Sequence, residues 1–99
     1  MLLREIAHAR AGDKGNIVTI SLIAYHREDF ARLEERVTAE RVSAHFPEFI
    51  DRPVIRYTAA NISALNFVLH RPGTQSVTRS LALDAHGKCL ASALLGLEI

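Results

Sequence analysis

Residues 16–25 read NIVTISLIAY, and no other run in the chain constrains the fold as much. It is rich in β-branched residues, which suit a pleated strand. Its residues alternate: Val18, Ile20, Leu22 and Ala24 share one face, while Ile17, Thr19, Ser21, Ile23 and Tyr25 share the other. A strand with one wholly apolar face and one mixed face is either central in its sheet or covered on both sides. Its apolar side needs a second layer to pack against, which already narrows the architecture to a layered domain.

The rest of the chain supplies that layer. From Arg27 to Phe46 the sequence becomes charged and helical, with Phe30, Leu33 and Val37 at spacings of three and four, then Val42 and Phe46 four apart. The five-residue step from Val37 to Val42 breaks the phase at Thr38, a good N-cap, so two consecutive helices are as consistent with the pattern as one. Pro47 closes the helical region. LLREIAHA (residues 2–9) and VIRYTA (54–59) read as strands, and VTRSLALD (77–84) as a half-buried one. NISALNFVLH (61–70) fits two periods. Ile62, Leu65 and Leu69 make a helical stripe capped by Asn61, whereas Ser63, Leu65, Phe67 and Leu69 would line one strand face; the stripe favours a helix. DAHGK (84–88) reads as a turn with Gly87 in its left-handed position, and CLASALLGLEI (89–99) returns as a strand or as a short helix before one. The order predicts an α+β sandwich, a mostly antiparallel sheet with helices on one face.

Composition bounds the function. The 99 residues, 48% apolar, suit one domain over 1–99 that buries somewhat more than roughly 60% of its unfolded surface. Twelve Lys and Arg against eleven Asp and Glu leave a net charge of +1, which disfavours nucleic acid and anionic membranes as partners. Cys89 is the single cysteine and the five histidines are scattered, so neither a disulfide nor a zinc site is expected, and no cofactor. Arg4 and Glu5 interrupt the first apolar residues, and no run approaches about 18 apolar residues, so a cytoplasmic protein is expected.

The candidate chemistry begins in ARAGDKGN (residues 9–16). If Gly12 and Gly15 take positive φ, successive amides could point into one concavity, with Arg10 and Lys14 adding charge for an anion and Asp13 and Asn16 completing the loop. The spacing is not that of a nucleotide P-loop, since Asn16 and Ile17 follow the second glycine. The competing reading is a plain hairpin, with Asp13 capping its own turn. Asn61 and Asn66 are the next candidates; Asn66, between Leu65 and Phe67, needs a partner, either a ligand or a neighbouring carbonyl, the latter being the more ordinary. Asp84 and Lys88 flank the last turn, and Arg79 interrupts an apolar strand face where a guanidinium wants a carboxylate, a phosphate or an interface. His8 could serve as an acid or base. Cys89, Ser76 and Ser80 lack the surroundings of a nucleophile.

Taken together, REIAHARAGDKGNIVTISLIA, VTAERV, VIRYTAANISALNFVLH, VTRSLALDAHGK and the ending LLGLEI resemble the AtuA-like ferredoxin-fold domain over nearly the whole chain. That family occurs as the C-terminal part of acyclic terpene utilisation proteins and as free-standing small proteins. The resemblance implies a ferredoxin-like α+β fold without an iron–sulfur cluster and a link to the breakdown of acyclic terpenoids or branched acids as CoA thioesters, beside a larger partner protein. Arg10, Gly12, Asp13, Lys14, Gly15 and Asn16 match its first motif, Asn61, Leu65, Asn66 and Phe67 its middle one, and Asp84, Gly87 and Lys88 its last. The chain departs from it in RPGTQSVTRSL, where the family's loop is richer in glycine, and at Ala11, where a hydroxyl residue is expected.

Three functions compete on this basis: an accessory subunit that binds an anionic small molecule such as a CoA thioester, a module that forms homo-oligomers or docks on a larger partner, and, least favoured, a stand-alone acyl-CoA enzyme using Asp13 or His8 as base.

Overall fold

The structure, a computed structural model, describes residues 1–14, 17–47, 52–70 and 88–99, with the backbone alone at Asp13, Lys14, Lys88 and Cys89. The elements expected over VTRSLALD and DAHGK lie outside the described residues, as do Gly15, Asn16, Ser76, Arg79, Ser80, Asp84 and Gly87.

Strands β1 (Ala7–Lys14) and β2 (Ile17–Ala24) form an antiparallel ladder running from Ala7↔Ala24 to Lys14↔Ile17. Among the described residues, β3 (Ile55–Ala59) and β4 (Ala64–His70) join them in a sheet ordered β1-β2-β4-β3, each described pairing antiparallel. β2 is therefore central, as its apolar face requires. Val18, Ile20 and Leu22 lie fully buried beside Leu65, Phe67 and Leu69 of β4. The layer over them is built by α1 (Phe30–Arg36), α2 (Ala39–His45) and α3 (Lys88–Leu94), through Leu33, Val37, Val42, Leu90 and Leu94. α3 packs on β1, whose Ala9 and Ala11 are small enough to let a helix approach the strand closely.

Thr38 divides the helical region. Its extended backbone ends α1, and its hydroxyl accepts from the Arg41 amide at 3.1 Å, capping α2. The C-terminal end of α1 is held from the sheet, where the Arg56 guanidinium of β3 donates to the carbonyls of Glu34 and Val37 at 2.7 and 3.0 Å. The two ends of the chain meet: Leu2 bridges Glu98, and the Met1 ammonium pairs with the Glu98 carboxylate at 3.0 Å.

Three expectations are corrected. The first strand starts at Ala7 rather than Leu2, because Leu3–Glu5 forms a 3-10 turn in which the Glu5 carboxylate accepts from the Leu2 amide and Leu3 is buried. Residues 64–70 are a strand and not a helix: Leu65, Phe67 and Leu69 are fully buried, whereas Ile62, which the helical stripe needs, is 60% exposed. A 3-10 turn at Ala60–Ile62 and a left-handed Ser63 (φ 56°) set off the new direction. The tail opens as the helix α3 and then pairs with the N-terminal residues through a bridge at Glu98, so the return strand from residue 89 gives way to the alternative reading.

Candidate functional site

The helices cover one face of the sheet, and the register fixes what occupies the other. Across the four strands, Arg10 pairs with Ser21, Ser21 with Asn66, and Asn66 with Tyr57. A neighbouring row runs His8, Ile23, Ala64, Ala59, and the one on the opposite side Gly12, Thr19, Val68, Ile55. Paired residues in antiparallel strands project to the same side. Arg10 and Asn66, fifty-six positions apart in the sequence, thus flank Ser21 in a single row.

Within that row the Ser21 hydroxyl donates to the Asn66 side-chain oxygen at 2.6 Å. The partner that Asn66 needs is thus a side chain, not the expected carbonyl. The bond takes one of the amide oxygen's two acceptor sites, and Asn66 keeps its two N–H donors for other partners. Arg10 is exposed and forms no hydrogen bond or ion pair with the described residues. At one end of the face the His8 and Tyr25 rings stack with centroids 5.2 Å apart. At the other, His70 sits opposite Ile17 with a buried Nδ1 that has no hydrogen-bond partner among the described residues. Ile17, Tyr25, Ile55 and Tyr57 are 38%, 57%, 42% and 55% exposed. No Asp or Glu holds a described position on this face.

The remaining sequence candidates fall elsewhere. Gly12 lies inside β1 with no left-handed φ, so the amide concavity expected around it is not formed there; its carbonyl instead accepts from the Thr19 hydroxyl at 3.4 Å. Arg10 through Lys14 are strand residues, and Asp13 pairs with Val18 and Lys14 with Ile17. Asn61 is exposed in the turn before β4, away from the row of Asn66. Lys88 and Cys89 begin α3. Ser21 and Tyr57 were missed as site residues. The alternation of VIRYTA and NIVTISLIAY could have placed each on an outward face, but not in one row.

Among the described residues no helix is long and apolar enough to cross a membrane. An antiparallel sheet with all its described helices on one side defines an α+β sandwich of the ferredoxin-like class. The chain belongs to the AtuA ferredoxin-like domain family, whose model matches residues 1–99. No curated protein and no solved structure matches it.

Proposed function

We propose that this domain is an accessory binding subunit in the breakdown of acyclic terpenoid or other branched acyl-CoA compounds, and that it docks on a larger acyclic terpene utilisation-type partner through the open sheet face. The observation that carries the reading is the joint exposure of Ile17, Tyr25, Ile55 and Tyr57 on the side of the sheet away from the helices. Apolar and aromatic surface of this kind, with an Arg in its midst, has the composition of interface centres, where Tyr and Arg are enriched. Family membership supports the larger-protein context. The test is sedimentation velocity of the domain alone and mixed with that partner. A complex is expected for the wild type, and it should be lost in the double variant Ile55→Lys, Tyr57→Lys without loss of folded signal. A complex indifferent to both substitutions would place docking elsewhere, and a stable homodimer disrupted by them would make a second copy the occupant.

A second reading rests on Arg10, which makes no ion pair with the described residues and lies on the strand leading to Lys14. In it, Arg10 and Lys14 bind the phosphates or carboxylate of a CoA thioester. Native mass spectrometry of wild type and Lys14→Ala with added CoA thioester tests this; equal occupancy in the two would remove Lys14 from such a site.

A further inference from the structure

We infer that the centre of the open face, between Arg10 and Asn66, seats a carboxylate: an Asp or Glu side chain of the docking partner, set in apolar surroundings. The inference rests on the docking reading above and names the chemistry of what docks.

Geometry comes first. Adjacent strands lie about 4.8 Å apart, so Arg10 and Asn66 stand on backbones about 10 Å apart with only the short Ser21 between them. An arginine side chain is long enough to cross most of that gap and an asparagine the rest, so a group held over Ser21 can be reached from both positions. Tyr57 is a further strand away, beyond Asn66, and frames the position rather than sharing it.

The donor inventory then selects the group. Ser21 holds the Asn66 oxygen at 2.6 Å, which fixes the amide's orientation and leaves its two N–H donors to meet an acceptor. A guanidinium is a donor only, and its fork matches the two oxygens of a carboxylate. The described positions of the face hold no Asp or Glu to neutralise Arg10, so a second copy stacked face to face would bring it no carboxylate from those positions. The exposed Ile17, Ile55 and Tyr57 around the row would shield the pair from water, which is what makes an interfacial charge pair specific.

Ser21 is a positioning residue here, acting through Asn66. Its removal frees the amide to rotate and offer its oxygen, while Thr, which keeps the hydroxyl, should restore the orientation.

The experiment has two arms. In the first, affinity for the larger partner is measured for the intact domain and its variants. Arg10→Glu is expected to weaken binding at least 100-fold, Arg10→Lys and Ser21→Ala about 10-fold each, and Ser21→Thr to recover most of the loss, with Arg36→Glu on α1 as a control of equal charge change and little effect. If Ile55→Lys with Tyr57→Lys abolishes binding while Arg10→Glu leaves it intact, docking on this face stands and the carboxylate inference falls. If none of these substitutions matters, both fall. The second arm needs no partner: side-chain amide resonances of Asn66 are followed by NMR during titration with sodium acetate, inorganic phosphate and CoA. Acetate is expected to move them in the wild type and not in Arg10→Ala. A response to phosphate or CoA alone, or to none of the three, would overturn the inference.

Discussion

Gly12 looks like a turn glycine in the sequence and behaves as a strand residue in the fold. A Cβ built on it would meet nothing nearer than the Thr19 hydroxyl, at 3.6 Å, which is ordinary van der Waals contact, and its φ is not left-handed. A strand glycine without a conformational need is a weak point, because it loses more chain entropy on folding than alanine does. Gly12→Ala is therefore expected to leave stability unchanged or raise it by up to about 1 kcal/mol in urea denaturation. A loss of more than that would show that the backbone there must adopt a conformation alanine resists. The misreading has a simple origin: a glycine beside Asp, Lys and a second glycine has the composition of a turn, and only the ladder from Ala7 to Lys14 assigns it to the strand. Asn66 shows the opposite limit. Its need for a partner could be read from Leu65 and Phe67 on either side of it, but its partner, Ser21, lies 45 residues away and is found only through the register.

At the scale of the element, Thr38 and Ser63 are the two positions where single residues set chain direction. The phase break between Val37 and Val42 was legible from helical periodicity, with a cap residue coinciding with it, but the pattern suited one helix as well as two, and the Thr38 cap decides for two. Thr38→Ala should cost about 1 kcal/mol by thermal or chemical unfolding, with Thr38→Ser or Thr38→Asp largely neutral. Ser63 was not legible. A ten-residue run with apolar residues at both periods cannot choose between helix and strand by itself, and the choice is made by pairing of β4 with strands on both sides. Ser63 carries the direction change in a left-handed conformation that glycine adopts freely. Ser63→Gly is expected to stabilise the domain by about 0.5 kcal/mol, the relief of strain being partly offset by the greater freedom of glycine in the unfolded chain, whereas Ser63→Val should destabilise it by more than 1 kcal/mol. Equal stabilities for the two variants would contradict the turn described here.

Over the whole molecule, the sheet divides the described strand residues into a side packed under the helices and a side carrying the exposed Ile17, Ile55 and Tyr57, and neighbouring residues fall on different sides. Element order was enough to give the fold class, because an apolar strand face followed by charged helices leaves few ways to build a layered domain. It could not give the strand order, and so could not show that Arg10, Ser21, Asn66 and Tyr57 share a row. The division makes a paired prediction. Phe67 is fully buried between the sheet and its helices, and Phe67→Ala should cost about 3 to 5 kcal/mol, a large share of the roughly 5 to 15 kcal/mol that holds a domain of this size. Tyr57, one strand over and one row along, is 55% exposed, and Tyr57→Thr puts a β-branched residue of high strand propensity in its place, so its cost should stay below about 1 kcal/mol. If docking uses the open face, affinity for the larger partner should fall at least tenfold in Tyr57→Thr, with the midpoint of urea unfolding nearly unchanged. A Tyr57→Thr variant as unstable as Phe67→Ala would mean that its face is covered within the domain, and the residues on it would then be a second core rather than a meeting surface.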